Sequence, residues 1–244
     1  MSGKSRLDVA LVERGLIDSR EKARRAIMAA QVLVGGQPVV KAGAMVAADA
    51  EIVLAEKERF VGRGGLKLEG ALDTFQVDPA GRVGIDVGAS TGGFTDCLLQ
   101  RGAAKVYAID VGHGQLDWRL RNDARVDVRE GVNARYLQAS DFDPLPSIAV
   151  ADVSFISLTL VLPAVFELLV PSSDMVVLIK PQFELARADV GRGGIVRDVG
   201  ARVRALEKIR DFVSRSGWLW VADRESPITG RDGNVEFLAH IRTP

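Results

Sequence analysis

The segment VGIDVGASTGGF, residues 83–94, decides the fold class of this 244-residue chain. Its first five residues form an apolar run typical of a buried β-strand, and a helical pattern follows from Gly92 to Gln100. The glycines between strand and helix let the backbone approach a nucleotide-like ligand closely. Further apolar runs alternate with helical stretches, so we predict a doubly wound, mostly parallel α/β sheet. The predicted strands are 83–87, 105–110, 148–153 and 175–180, the predicted helices are 92–100, 158–169 and 201–214, and an antiparallel pair, 218–224 with 234–241, closes the sheet.

Composition and charge exclude several protein classes. Hydrophobic residues make up 47% of the chain, which suffices for a sizeable core. Thirty-two basic side chains balance 32 acidic ones, which excludes a uniformly basic nucleic-acid coat but not a local basic patch. The single cysteine, Cys97, excludes an internal disulfide and a four-cysteine zinc site. Two histidines argue against a histidine-rich centre, so we predict no metal site.

No targeting or membrane-spanning segment is visible in the sequence. Residues 1–6 are polar and no apolar core follows them. The most apolar stretch, 158–170, is interrupted by Pro163 and Glu167 and is too short to cross a bilayer. We therefore expect a cytoplasmic protein without a membrane partner.

The first 55 residues are predicted to form a small α+β domain with a basic surface. Residues 1–45 contain eight basic and four acidic side chains, whereas the whole chain is neutral. Arg20 and Arg24 share one predicted helix face, which either contacts RNA phosphates or is simply solvated. The predicted helices are 6–14 and one starting at Asp18, with Glu21 in the position of a capping box, and the predicted strands are 32–34, 39–40 and 51–54.

A charged, glycine-containing segment separates this domain from the rest of the chain. Residues 56–63 read as a linker, and residues 64–244 form the second domain. Phe60 is expected to pack between the domains, with base stacking as the alternative.

The glycine turn favours a ligand without phosphate groups. Ser90 occupies the position of the second glycine in a dinucleotide fingerprint, which disfavours close approach of a pyrophosphate. A phosphate-binding Gly-Lys-Ser/Thr loop is absent from the sequence. Asp86 within the strand and Asp110 at the end of the next suit a ribose and a cationic group. S-adenosyl-L-methionine (SAM) has both features, and a nicotinamide dinucleotide or a ligand-free scaffold remains the alternative.

The residues at the carboxyl ends of the predicted strands 148–153 and 175–180 limit which group can accept the methyl. Cys97 lies on the helix after the glycine turn, which is the wrong place for the nucleophile of pyrimidine-C5 methylation. The stretch Asp152-Val-Ser-Phe lacks the prolines typical of amino-group methylation. Asp152 and Lys180 follow parallel strands, and such carboxyl ends line a ligand crevice. Glu236 on the last strand and Lys67 on the helix before the first complete the set, although each alone is compatible with a surface role.

A set of two lysines and two carboxylates suits a sugar 2′-hydroxyl. This hydroxyl is a poor nucleophile, so a lysine held among carboxylates can orient it and, when the amine is neutral, take its proton. We predict that Lys180 contacts the hydroxyl, that Asp152 steers Lys180, and that Lys67 and Glu236 tune the local charge.

The N-terminal motifs resemble the S4 RNA-binding domain over residues 6–54. The similar motifs are Arg6-Leu-Asp, Gly-Leu followed by Ser19-Arg at the start of the second helix, and Val-x-Val-x-Gly followed by Lys41. Ala30 departs from the family, which often has glycine there. The resemblance implies RNA binding by phosphate contacts. The predicted RNA-binding residues are Arg6, Ser19, Arg20, Arg24, Arg25 and Lys41.

Nearly the whole chain resembles the TlyA family of ribosomal RNA (cytidine-2′-O)-methyltransferases, often catalogued as hemolysins. The motifs that carry this resemblance are RGGLKL at 63–68, DVGASTGGFT at 86–95, DVSFIS at 152–157, KPQFE at 180–184 and GNVE at 233–236. The resemblance implies an S4-like domain followed by a Rossmann-like, FtsJ-like catalytic domain, SAM as donor, rRNA as partner, and a catalytic tetrad of Lys67, Asp152, Lys180 and Glu236. The predicted cofactor-binding residues are Asp86, Gly88, Ala89, Ser90, Thr91, Gly92, Gly93, Phe94, Asp110 and Asn133.

Three features leave the target subunit and the roles of two segments open. The short termini favour the subtype that acts on the large subunit, with the small subunit left open. The family's interdomain Arg-x-Trp-Val stands here as Glu58-Arg59-Phe60-Val61, which departs from the pattern. Residues 184–200, with three arginines and four glycines, form either a mobile loop over RNA and SAM or a plain exposed loop.

Two other function classes compete with the methyltransferase. One is a non-catalytic RNA-binding or ribosome-assembly factor with a relic SAM fold, against which the intact lysine and carboxylate set argues. The other is a membrane-active hemolysin, for which the sequence shows none of the membrane-insertion patterns that pore formation needs.

Overall fold

The computed structural model describes residues 3–55, 59–230 and 232–244, and the chain divides into two compact units. The first unit comprises residues 1–59 and the second residues 60–244. Of the predicted linker 56–63, residues 56–58, including Glu58 of the interdomain motif, lie outside the described residues. Phe60 is buried in a hydrophobic cluster of the second unit, so its side chain is not exposed for base stacking, and its packing between the domains stays a prediction.

The first unit packs two helices against two small antiparallel sheets. Leu7, Leu11 and Ile27 are fully buried and form the centre of its core. One sheet pairs β1 with β4, and the other has the order β3-β2-β5. The elements are β1 (Lys4–Arg6), α1 (Leu7–Glu13), α2 (Arg20–Met28), β2 (Val32–Val34), β3 (Gln37–Pro38), β4 (Met45–Ala47) and β5 (Ile52–Leu54).

Two local predictions for this unit were wrong. The second helix is capped by Ser19, whose Oγ accepts a hydrogen bond from the Lys22 backbone N at 3.3 Å, and not by Asp18. The strand after the glycine turn is 37–38 instead of 39–40, because the left-handed Gly35 and Gly36 make a two-residue turn that places Gln37 directly opposite Val34.

The second unit is built on a seven-stranded sheet with the order β11-β12-β10-β9-β6-β7-β8. The five neighbouring strands from β10 to β8 pair in parallel, whereas β12 is antiparallel to both β10 and β11. The predicted doubly wound α/β class is thus confirmed. The strands are β6 (Val83–Val87), β7 (Lys105–Asp110), β8 (Val126–Glu130), β9 (Ile148–Ala151), β10 (Asp174–Ile179), β11 (Leu219–Glu225) and β12 (Phe237–Arg242).

Helices cover both faces of this sheet. Every residue of β9 and β10 is buried, as expected for central parallel strands between two helical layers. The described helices include none long and apolar enough to cross a membrane. The α-helices are α3 (Gly64–Phe75), α4 (Gly93–Gln100), α5 (Trp118–Arg121), α6 (Leu158–Phe166), α7 (Pro181–Glu184) and α8 (Val199–Arg215), and short 3₁₀ turns lie at Ala134–Tyr136, Ala139–Asp141, Arg187–Asp189 and Arg192–Gly194.

The strand boundaries place the polar residues at one edge of the sheet. Asp152 follows β9 directly, and Lys180 is the first residue after β10. Since β6, β9 and β10 run parallel, their carboxyl ends lie side by side. Glu236 precedes β12 by one residue, so its predicted position within the last strand was wrong by that one residue.

Candidate functional site

The four predicted catalytic residues form two ion pairs. Lys180 Nζ lies 2.6 Å from Asp152 Oδ1, and Lys67 Nζ pairs with Glu236 Oε2. Helix α3 carries Lys67, and the segments after β9, after β10 and before β12 carry the other three residues. The fold therefore brings together, in pairs, residues that are far apart in the sequence.

The Lys180–Asp152 pair lies at the carboxyl edge of the sheet. Lys180 Nζ also donates to Ser154 Oγ at 2.8 Å, so two groups of one loop orient the amine. Both charged side chains border a cavity of about 190 Å³. The cavity is lined by Gly64, Gly88, Ala89, Ser90, Thr91, Gly93, Phe94, Asp152, Ser154 and Lys180. An amine and a carboxylate thus face a space bounded largely by the glycine turn.

The Lys67–Glu236 pair is more deeply buried and does not border this cavity. Gly230 packs closely against the pair, because a Cβ atom at Gly230 would lie 2.5 Å from Glu236 Oε1. The backbone carbonyl of Glu236 accepts a hydrogen bond from Ser226 N at 2.8 Å. A buried pair held in this way fixes α3 against the segment that enters β12.

The glycine turn is shaped by three left-handed residues. Gly88 has φ +86°, Ser90 has φ +49° and Gly92 has φ +97°. A Cβ atom at Gly88 would lie 2.5 Å from the carbonyl oxygen of Asp152, so only glycine allows this close approach of the two segments. At Gly92 a Cβ atom would collide with Leu120, so the start of α4 also depends on glycine.

Asp110 holds the turn in place. Its carboxylate accepts hydrogen bonds from the backbone N atoms of Ser90 and Gly112, each at 2.7 Å. The carboxylate is only partly buried, and each of its oxygens keeps a second lone pair for a ligand. This position agrees with the predicted place of Asp110 at the end of the second parallel strand.

Asp86 is completely buried beneath the turn. Thr95 Oγ1 donates to Asp86 Oδ2 at 2.7 Å, and Asp86 Oδ1 has no hydrogen-bond partner among the described residues. Burial raises the pKa of Asp86 to about 7, against the opposing effect of the Thr95 hydrogen bond, and the charges of Asp152 and Asp110 raise it further. Three carboxyl groups therefore surround the turn, and a bound cation would relieve their repulsion.

Asn133, a predicted cofactor-binding residue, borders a different cavity of about 630 Å³. Its side chain accepts a hydrogen bond from Arg135 N at 3.1 Å.

Phe155, which borders the same cavity, was not predicted from the sequence. It is 90% exposed, has φ +63° and contacts the Phe183 ring at a centroid distance of 5.1 Å. An aromatic residue three positions after Asp152 was the available signal. This cavity is lined by Asn133, Arg135, Phe155, Ile156, Ser157, Leu160, Gln182 and Phe183.

The arginine-containing segment 184–200 is attached at both ends. Glu184 is buried and accepts hydrogen bonds from Ser157 Oγ and from Leu158 N. Asn234 Oδ1 accepts from Val196 N at 2.9 Å, and Asn234 Nδ2 donates to the Gly194 carbonyl at 2.8 Å. Two residues of the GNVE motif thus make different contacts: Asn234 holds the end of the segment 184–200, and Glu236 pairs with Lys67.

In the first unit, the predicted RNA-binding residues differ in their environments. Arg6, Arg20 and Arg24 surround the buried carboxylate of Asp8. Ser19 caps α2, and Arg25 NH2 lies 3.6 Å from Glu21 Oε1. Lys41 is exposed in the segment after the β2–β3 hairpin.

Comparison with known proteins identifies both units. Residues 60–243 match the FtsJ-like methyltransferase family, and residues 5–52 match the S4 domain. The chain is 50% identical over 245 residues to "Putative rRNA methyltransferase YqxC" of Bacillus subtilis, covering 100% of this chain and 87% of that protein. It is 45% identical over 245 residues to "16S/23S rRNA (cytidine-2'-O)-methyltransferase TlyA" of Mycobacterium tuberculosis, covering 100% of this chain and 91% of that protein.

A solved structure agrees with these relatives. "Putative hemolysin from Streptococcus thermophilus" is similar with a TM-score of 0.76 and 45% identity, covering 100% of this chain and 90% of that one. The hemolysin name therefore belongs to proteins that share both the sequence and the architecture described above.

Proposed function

Because this chain belongs to the TlyA family of FtsJ-like methyltransferases and carries an S4 domain, we propose that it methylates the 2′-hydroxyl of a cytidine ribose in ribosomal RNA, with SAM as donor. The large subunit is the first expected substrate and the small subunit the second, since the M. tuberculosis relative is named for both. The single observation that carries the proposal is the Lys180–Asp152 ion pair beside the glycine turn.

The residues around the turn fit SAM. Asp86, Asp110 and Asp152 place three carboxyl groups around the turn, where a sulfonium and an ammonium group would bind. When bound, SAM supplies an electrophilic methyl group on a positively charged sulfur. The turn residues 88–94 would hold it, and Asp110 would take the ribose hydroxyls.

Lys180 is assigned to the acceptor hydroxyl. Its Nζ is held by Asp152 and Ser154, so the amine has a defined direction toward the cavity rather than a free rotamer. An amine held in this way orients the 2′-oxygen and, in its neutral form, accepts the proton that the hydroxyl loses. Lys67 and Glu236 support the reaction from a buried position by holding α3 and balancing the local charge.

The larger cavity suits the base of the target nucleotide. Phe155 offers an exposed ring three residues after Asp152, and single-stranded RNA bases stack on such aromatic side chains. Arg135 and Asn133, which border the same cavity, supply hydrogen-bond donors and a cation for the adjoining nucleotide. The S4 unit contributes affinity through phosphate contacts, and we expect the enzyme to act in the cytoplasm, where ribosomal subunits are found.

The test supplies radiolabelled SAM and separated, unmethylated ribosomal subunits to the full chain. The label is expected in rRNA, and reverse transcription at limiting nucleotide concentration is expected to stop next to one ribose-methylated cytidine. Transfer to a base would contradict the proposal. SAM binding without transfer to either subunit would instead favour the non-catalytic RNA-binding factor.

A further inference from the structure

A buried carboxylate lies beneath three of the arginines on the surface of the first unit. Asp8 is fully buried, although it belongs to the first turn of α1. Arg6 binds it with two hydrogen bonds, Nε to Oδ1 at 2.9 Å and NH2 to Oδ2 at 3.1 Å. Arg20 NH2 lies 3.1 Å from Oδ2, and Arg24 Nε lies 3.9 Å from the same oxygen.

In the folded protein at neutral pH, the carboxylate of Asp8 is ionised. The two Arg6 hydrogen bonds, together with the one from Arg20, lower the pKa of Asp8 to about 2 in spite of its burial. One negative charge thus faces three positive ones, and the cluster keeps an excess of positive charge.

The three arginines retain the capacity to bind another anion. Their side chains are 45%, 57% and 61% exposed for Arg6, Arg20 and Arg24, respectively. Each guanidinium has five N–H donors, and Asp8 uses at most two of them on any one arginine. The free donors therefore remain available on a surface where Asp8 holds the Arg6 and Arg20 guanidinium groups by hydrogen bonds and attracts that of Arg24 from 3.9 Å.

The same helix start is attached to the turn that follows Lys41. Leu7 N donates to the Ala44 carbonyl at 2.8 Å, and Asp8 N donates to the Ala42 carbonyl at 3.2 Å. Gly43 in this turn approaches the Arg6 guanidinium, since a Cβ atom there would lie 3.4 Å from Arg6 NH1. Asp8 is therefore at the centre of the elements that carry the basic residues.

We propose that Asp8 is a positioning residue for RNA binding: its hydrogen bonds hold the guanidinium groups of Arg6 and Arg20, and its charge attracts that of Arg24, in the orientation in which they contact RNA phosphates. This inference rests on the proposed function, because it assumes that the S4 unit binds rRNA. An arginine that is already ordered loses less rotamer freedom when it binds a phosphate, and ordering one free side chain costs about two- to tenfold in affinity. An acidic residue thus strengthens binding to a polyanion.

The test depends on whether removing the Asp8 charge raises or lowers the affinity for RNA. Asp8→Asn removes a negative charge, so a purely electrostatic surface would bind RNA more tightly. Positioning by Asp8 predicts the opposite, a loss of about tenfold in affinity. Asp18→Asn is the matched control, because Asp18 lies in the same unit, is exposed, and pairs with Lys22 at 2.9 Å instead of the arginine cluster. The same change of charge at Asp18 is expected to leave affinity unchanged or to raise it slightly.

The assay measures binding of the full chain to protein-free large-subunit rRNA at several salt concentrations. Hydrogen exchange over residues 3–55 reports whether the first unit remains folded. With the fold intact, tighter binding by the Asp8→Asn protein, or binding equal to that of the Asp18→Asn protein, would overturn the inference. Failure of the wild-type chain to bind the RNA would contradict the proposed function of this unit instead.

A second pair of variants decides the matter if Asp8→Asn unfolds the unit. Arg20→Lys and Arg215→Lys both keep the charge of an exposed helical arginine, but Arg20 NH2 donates to Asp8 Oδ2, whereas Arg215 NH2 lies 3.6 Å from Asp211 Oδ2 in the second unit. Because lysine lacks the planar guanidinium group, Arg20→Lys is expected to weaken binding several-fold and Arg215→Lys to change it little. Equal effects of the two substitutions would refute the positioning role.

Discussion

Replacing Asp86 by asparagine is expected to stabilise the second unit relative to the wild type by an amount that grows as pH rises toward about 7. The pKa of this buried carboxyl is about 7 in the folded protein and 3.8 in an ordinary environment. Between these values the folded protein retains a proton that the unfolded chain has released. The free energy of unfolding of the wild type therefore falls as pH rises through this window, and it levels off above about pH 7.

The size of the effect follows from the same two pKa values. At about 1.4 kcal/mol per pH unit, this group lowers the stability of the wild type by about 2.5 kcal/mol between about pH 5 and about pH 8. Asparagine has no such titration and still accepts the hydrogen bond that Thr95 Oγ1 donates. The difference in unfolding free energy between variant and wild type should grow by this amount across the window.

Tryptophan fluorescence in urea measures this difference for the second unit alone. The three tryptophans of the chain, at positions 118, 218 and 220, all belong to residues 60–244. Other titrating groups cancel in the comparison, because both proteins contain them. A difference that does not change between about pH 5 and about pH 8 would refute the argument that Asp86 is protonated by burial.

The same variant reports on the cofactor. A bound cation favours the ionised form of Asp86, so the affinity of the wild type for SAM should rise as pH increases through about 7. The Asp86→Asn protein should bind SAM more weakly at pH 8 and should lack this part of the pH dependence. Calorimetric titrations of both proteins with SAM provide the measurement.

Four further substitutions test three individual contacts by urea unfolding. Gly88→Ala should cost at least about 1–2 kcal/mol from its left-handed backbone, and more from the collision with the Asp152 carbonyl; an unchanged stability would contradict that close approach. Lys67→Met and Glu236→Gln should each lower the free energy of unfolding by about 3–5 kcal/mol, because each leaves a buried charge unpaired. The double variant should lose less stability than the sum of the two single losses, and additive losses would disprove the pairing. Glu184→Ala should cost about 2–4 kcal/mol, because two donors at the start of α6 lose their acceptor, and a loss below about 0.5 kcal/mol would contradict that role.

Much of the fold could be predicted because its central strands are buried on both faces. Continuous apolar runs such as β6 and β10 have no polar side to obscure them, and the glycine turn marks where the first strand meets its helix. The edge strand β8 was missed because its sequence, VDVRE, has only two apolar residues and none of its residues is fully buried. The three-residue strands β1 and β4 are too short to produce a periodic pattern.

The members of the candidate catalytic set and the pairing of Lys180 with Asp152 were predicted from the sequence, but the pairing of Lys67 with Glu236 was not. Lys67 and Glu236 are separated by 169 positions, and their contact depends on where α3 packs and on the antiparallel return of β12 beside β10. Residue type alone does not say which lysine meets which carboxylate. The burial of Asp8 was likewise hidden, because its place in the sequence is that of an ordinary acidic residue in a first helical turn.

The role of Lys180 is tested most directly by single-turnover methyl transfer. Lys180→Ala is compared with Lys105→Ala, a lysine of the same unit at the opposite, amino-terminal end of the sheet. With SAM and rRNA binding confirmed separately for each protein, we expect Lys180→Ala to slow transfer by about 10²- to 10⁴-fold and Lys105→Ala to keep the wild-type rate. A folded, SAM-binding Lys180→Ala protein that methylates the cytidine ribose at a near-normal rate would contradict the account.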